Sequence, residues 1–158
     1  LLKAYPANVA GLKDSSGDWS NTKAVLDQFA KAGFDVFPGS EVFLLDGLRN
    51  GGVGCITATG NVNPGPIDKV YQNWQGPEAD KLQADITATR KVVQSVPMIP
   101  ALKAIIAQFG ADPGFVTVRP PLIELSTDEN TKLFAGLKTV AFSMPGLKEA
   151  LSGAAVPV

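Results

Sequence analysis

The 158-residue sequence contains no histidine and a single cysteine, Cys55. Without histidine, Ser-His-Asp and Cys-His catalysis and histidine-ligated metals are unavailable within the chain. One cysteine excludes an internal disulfide and any multi-cysteine zinc site. Charge excess is also missing. Fourteen basic and 15 acidic residues leave a formal charge of −1 with no basic block, so nucleic acid is not an expected partner. No apolar run approaches the ~20 residues that span a bilayer, and no signal peptide is recognisable. The expectation is a cytoplasmic protein without a membrane partner. Lysine, tyrosine, carboxylates, hydroxyls and the backbone are what remain for chemistry.

At 45% hydrophobic and 18% charged, the chain has enough apolar residues for a substantial core. Two textures follow one another. Through about residue 62, strand and helix patterns alternate: "VAGLK" (9–13), "NTKAVLDQFAKAG" (21–33), "FDVFP" (34–38), "EVFLLDGLRNGG" (41–52) and "VGCITAT" (53–59). Lys13, Phe37 and Ile56 recur 24 and 19 residues apart, a spacing suited to successive units of a parallel sheet. From Pro64 onward the pattern is helical, near 64–75, 77–95, 98–109, 127–140 and 145–152, with prolines where helices begin. "VTVRPPLIEL" (116–125) reads as an extended connector. The predicted fold class is α/β: the last three β/α units of a (β/α)8 barrel over residues 1–75, then a C-terminal helical region over 76–158. A whole barrel takes ~250 residues, so this chain would hold little more than half of one.

In "VAGLK", strand alternation sets Val9, Gly11 and Lys13 on one face. If that face lines a barrel, Lys13 projects inward at the strand's C-terminal end, where barrel active sites lie, and Gly11 leaves room for its stem. A free lysine amine is unprotonated in only roughly 1 molecule in 2,500 at neutral pH, and burial raises that fraction. The plainer alternative is a lysine marking where the strand meets water. Gly39 closes the second unit, either admitting a ligand close to the backbone or simply turning into a helix whose first acid is Glu41. "GGVGCITATGN" (51–61) fails as a dinucleotide fingerprint: Thr57 stands where the last glycine belongs, and the glycines precede the strand. "DSSG" (14–17) offers serines without a histidine base.

Together, "GLKDSSGD", "PGSEVFLLDGL", "GGVGCITATGNV" and "VRPPLIEL" resemble the dihydrodipicolinate synthase/N-acetylneuraminate lyase family of class I aldolases, in family order and spacing. The resemblance fades after about residue 141. It implies a (β/α)8 barrel with a helical C-terminal region, usually a homotetramer. Lys13 matches the Schiff-base lysine. Gly39 and Ile56 match residues lining the pyruvate pocket, and Glu41 and Thr57 beside them are candidate substrate-binding residues. The implied chemistry is a lysine–pyruvate imine whose enamine attacks an aldehyde, or the reverse cleavage of a 2-oxo acid, with no metal or organic cofactor.

The family's threonine loop and "YN-x-P" tyrosine segment have no counterpart here, and neither Tyr5 nor Tyr71 sits in such a motif. Neuraminate lyases carry an acidic pair after the strand-seven glycine and a serine after the strand-eight motif. Here the first acid is Glu41, but Val42 and Ala58 fill the other places, which argues against a sialic acid substrate. The leading expectation is a dihydrodipicolinate synthase-like condensation of pyruvate with aspartate semialdehyde, within lysine biosynthesis. Aldolases for 2-keto-3-deoxy sugar acids or 4-hydroxy-2-oxoglutarate are the nearest alternatives. A non-catalytic barrel half, acting as a binding or assembly module, is the alternative from another class.

Overall fold

The computed structural model describes residues 1–151; the end of the expected helical extension, residues 152–158, lies outside the described residues. "GLKD" is extended as β1 (Gly11–Asp14), and a short polar loop turns it into α1 (Trp19–Phe29). Asp18 caps that helix, its carboxylate accepting from the Ser20 amide at 2.8 Å. This satisfies one of the donors every helix start leaves unpaired. A single 3-10 turn, Ala30–Ala32, and the left-handed Gly33 end the helix. β2 (Asp35–Pro38) then runs parallel to β1, with Lys13 opposite Phe37 and Asp14 opposite Pro38.

The two faces of this sheet differ. Leu12 and Val36 pack with Leu26 and Phe34 in a core under α1. Register neighbours share a face, so Gly11, Lys13, Asp35 and Phe37 lie together on the other one. There Lys13 and Asp35 are exposed and Phe37 is half-buried. Val9, expected beside Lys13, precedes the strand and packs on the Leu26–Phe34–Val36 core instead.

The expected third strand is not one. Residues 53–56 do run beside β2, the Val53 amide donating to Val36 O at 3.2 Å and the Ile56 amide to Pro38 O at 3.1 Å. Two features break the ladder. The next rung would need an N–H from Pro38, which has none. The partners on β2 are two residues apart while the donors are three apart, and Gly54, at φ 152°, absorbs the extra residue.

A 3-10 turn, Glu41–Phe43, leads into α2 (Leu44–Arg49). Leu44, Leu45 and Leu48 form a second core with Ile67 and Val70 of α3 (Pro64–Asn73) and Ala79 and Ile86 of α4 (Ala79–Val93). Each such leucine or isoleucine contributes ~1.5–3 kcal/mol by leaving water. Arg49 clasps Asp80 at the start of α4 through two bonds of 2.8 and 2.9 Å.

The chain then continues as α5 (Met98–Gly110), α6 (Thr127–Thr139) and α7 (Leu147–Leu151). α6 opens with a capping box in which Ser126 and Glu129 bond reciprocally. Gly136 of α6 admits Val92, and Phe109 meets Phe142 edge-on at 5.3 Å. Residues 117–125 carry no regular element, as the prolines there require.

Two compact units result. One comprises Leu1–Gly60 and Pro64–Thr87; the other comprises Asn61–Asn63 and the described residues from Ala88 to Leu151. This division runs through the continuous helix α4, whereas the sequence places a boundary at residue 75. No single helix among the described residues is long and apolar enough to cross a membrane.

Candidate active site

Lys13 stands at the C-terminal end of β1, and the loop behind it is a fixed hydrogen-bonded structure. Asp14, the next residue, turns to the opposite face and is buried. Its carboxylate accepts from Thr22 Oγ1 at 2.5 Å and from both the amide and hydroxyl of Ser16 at 3.0 Å. Burial opposes ionisation here, but the bonds from Thr22, Ser16 and Asn21 outweigh it and hold the carboxyl below the usual carboxylate range. Ser16 of "DSSGD" thus serves the buried acid and the loop rather than nucleophilic chemistry.

Gly39 locks the neighbouring strand end to this loop. Its amide donates to Asp14 O at 2.7 Å, and a Cβ there would stand 2.7 Å from that oxygen and 3.0 Å from Ser15 Cα. At Gly11 a Cβ would overlap the Asp35 carbonyl. Both glycines therefore answer to the chain's own close packing. Gly11 brings β1 against β2, and Gly39 is pressed against the loop that follows Lys13.

Beside β2 lies a cavity of about 500 Å³, walled by Phe37, Val53, Cys55, Ile56, Thr57 and Tyr71 among others. Ile56 is 48% exposed and Thr57 half-buried, so both present surface to it. The structure thus gathers two expected site residues, Ile56 and Thr57, on one cavity wall. Lys13 and Gly39 are not on that wall. Lys13 is related to it through Phe37, which is its register partner and also lines the cavity.

Glu41 takes a different place from the one expected of a substrate ligand. It is 0% exposed. One carboxylate oxygen accepts from Thr57 Oγ1 at 2.5 Å and the other from Thr59 Oγ1. Its main-chain carbonyl accepts from Gln83 Nε2 at 2.9 Å, while Gln83 Oε1 accepts from the Leu45 amide at 3.0 Å. Glu41 is a buried bracket behind the cavity wall.

Thr59 and Gln83 carry this geometry and were not singled out in the sequence, and Phe37 was marked there only by its spacing from Lys13 and Ile56. The Thr57-x-Thr59 spacing was the available signal for two hydroxyls converging on one acid. For Gln83, 42 residues beyond Glu41, no local signal exists.

What the arrangement offers chemically is a primary amine at a strand end, an aromatic ring beside it, and a mostly apolar cavity edged by a threonine. Comparison with known proteins accords with this. An uncharacterized DapA-like lyase of Chloroflexus aurantiacus is 32% identical over 141 residues, covering 89% of this chain and 46% of the relative. The crystal structure of dihydrodipicolinate synthase from Agrobacterium tumefaciens superposes with a TM-score of 0.75 at 25% identity, covering 89% of this chain and 46% of that one. That of YagE, a prophage protein of the dihydrodipicolinic acid synthase family from E. coli K12 in complex with pyruvate, reaches 0.78 at 21% identity, covering 90% and 49%. The chain thus spans about half the length of the proteins it matches. The family model for the dihydrodipicolinate synthetase family matches residues 2–140, and this chain belongs to that family.

Proposed function

We propose that this chain carries the Schiff-base lysine of a pyruvate-dependent lyase, and that Lys13 is that residue. One observation carries the reading: Lys13 stands in the last two residues of β1 within the family motif "GLKDSSGD", register-paired with Phe37 on the open face of the sheet. The neutral amine adds to the C2 ketone of pyruvate, and the carbinolamine loses water to give a protonated imine. Loss of a C3 proton yields an enamine that draws its electrons from the broken C–H bond. The enamine carbon forms the new C–C bond with an aldehyde, and water then releases the product and regenerates Lys13. Run backwards, the same steps cleave a 2-oxo acid. The preferred aldehyde is aspartate semialdehyde, as in a dihydrodipicolinate synthase. Val42 and Ala58 speak against N-acetylneuraminate.

In this reading residues 1–75 form the last three β/α units of a (β/α)8 barrel, completed by an N-terminal segment and assembled as a cytoplasmic homotetramer. The exposure of Lys13 favours a chain that is not a catalyst by itself. An opposing wall would take the amine out of water, and burial of that kind favours the uncharged nucleophile. The test is borohydride reduction with pyruvate followed by peptide mass mapping. The full-length protein should be modified at Lys13, and the 158 residues alone should not. Lys13→Arg should abolish trapping, since arginine stays protonated. Modification at Lys3 or Lys23 with Lys13 untouched overturns the assignment.

A further inference from the structure

The open face of the sheet carries a second charged residue, Asp35, to which the proposed chemistry gives no part. Like Lys13 it is exposed there. Asp35 is the register partner of Gly11, and Gly11 stands two residues before Lys13 on the same face of β1. A Cβ on Gly11 would lie 2.7 Å from Asp35 Cβ, so the space that the glycine leaves is where the acid's side chain departs from β2. Two residues of strand rise about 7 Å, which sets Asp35 one layer below Lys13. Diagonal neighbours of this kind lie within reach of a long side chain.

Other charges stand elsewhere. Phe37 completes this face of the strand pair. Asp14 turns to the opposite face, where Thr22 and Ser16 bond its carboxylate. Glu41 is buried, and Asp68 and Tyr71 of α3 line the cavity beside Phe37. Residues 53–56 bring no charge to the edge of β2. Among the described residues, Asp35 is thus the one charged group that shares a sheet face with Lys13, and neither belongs to an ion pair.

We infer, on the assignment of Lys13 as the imine-forming lysine, that Asp35 is a positioning residue acting through it: the fixed counter-charge of its protonated imine with pyruvate. In water such a pair gains little. A wall set against this face removes the screening, and the same two charges then interact several times more strongly. Charge counting shows which states the carboxylate favours. Lysine ammonium and ketone give iminium and water, with one positive charge before and after, so Asp35 stabilises both alike. The neutral amine gains nothing. Neither does the neutral enamine, which forms when the C3 proton leaves and its electron pair moves toward nitrogen. Asp35 therefore counteracts the loss of basicity that burial imposes on an amine, and it holds the adduct in the protonated form that draws electrons from C3.

The experiment uses the full-length protein and pyruvate alone. Borohydride trapping of pyruvate on wild-type Lys13 is measured first. Initial rates of imine formation, from timed borohydride quenches read by mass, are then followed against pH. The rate rises with the fraction of neutral amine, so the midpoint of the curve reports the titration of Lys13. In Asp35→Asn that midpoint should fall by ~0.5–1.5 pH units, the coupling expected of charges about 7 Å apart between the dielectric limits of water and a protein surface. Asp35→Ser should move it the same way, and Asp35→Glu, which keeps the charge, should stay closer to wild type than either. Well below the midpoint, the pyruvate concentration for half-maximal trapping should stay near the wild-type value, because charge is conserved in forming the iminium. A merely structural role would weaken pyruvate binding and leave the midpoint in place. An unmoved or raised midpoint in Asp35→Asn or Asp35→Ser, with wild-type Lys13 trapped, overturns the role of Asp35 and leaves the lyase reading standing. So does an Asp35→Glu midpoint that falls as far as that of Asp35→Asn. No trapping on wild-type Lys13 overturns the lyase reading, and this inference with it.

Discussion

Replacing Gly39 by alanine is a sharp test of how the loop behind Lys13 is held. The added methyl would stand 2.7 Å from Asp14 O and 3.0 Å from Ser15 Cα, and both obstacles are main chain. A side chain could swing away; these atoms can yield only if the strand end moves. Regaining van der Waals separation requires a displacement of roughly 0.7 Å. That movement loosens the 2.7 Å bond from the Gly39 amide to Asp14 O. Overpacking of this kind costs ~1–3 kcal/mol and the weakened bond ~0.5–1.5 kcal/mol, while alanine returns ~0.4–1 kcal/mol by restricting the unfolded chain. The net is a destabilisation of about 0.5–4 kcal/mol, and its centre near 2 kcal/mol corresponds to a fall in Tm of ~4–8 °C for a chain of this size. Thermal melts by far-UV circular dichroism at one protein concentration measure it. Gly60→Ala supplies the contrast, since its methyl would meet only Thr57 Cγ2 at 3.7 Å, an ordinary contact. A Gly39→Ala melt within about 1 °C of wild type would refute the argument, showing that the strand end yields freely.

Two further outcomes are expected. Asp14 ionises below its unfolded value, so the stability it contributes is complete above about pH 4 and is lost as pH falls through its lowered folded value. Asp14→Asn should flatten that acid limb of Tm against pH; parallel curves for the two proteins would show that the limb comes from other groups. The Arg49–Asp80 clasp is exposed on both sides, so Arg49→Ala should barely move Tm, and the small shift should vanish in high salt. A large, salt-independent loss would mean that the clasp orders the α2–α4 junction.

Most of the helical pattern was legible because apolar spacing and proline position are local signals. The expected helices near 64–75 and 127–140 became α3 and α6 with their ends shifted by a residue or two. The first two strands were legible for the same reason. "VGCITAT" misled because its β-branched residues do have strand character, whereas the obstacle lies across the sheet, in Pro38 of the neighbouring strand. Glu41 misled in a similar way. An acid beside a strand-end glycine suggests a ligand, and only the fold brings two threonines and Gln83 around it. Lys13 was legible in place and in face, but its surroundings were not, because they depend on what else stands against that face.

The sheet has one face finished and one face bare, and this bears on the order in which such a protein is made. What holds β1 to β2 on the finished side comes mainly from the stretch between them: Leu26 of α1 and Phe34 pack with Leu12 and Val36, joined from just before β1 by Leu2 and Val9. Contacts so near in sequence close quickly, because little chain entropy is spent in bringing them together. The outer, helix-backed layer can therefore form as soon as its own residues are present, without instruction from the bare side. The bare side, where Lys13 and Asp35 are exposed, contributes nothing to that closure.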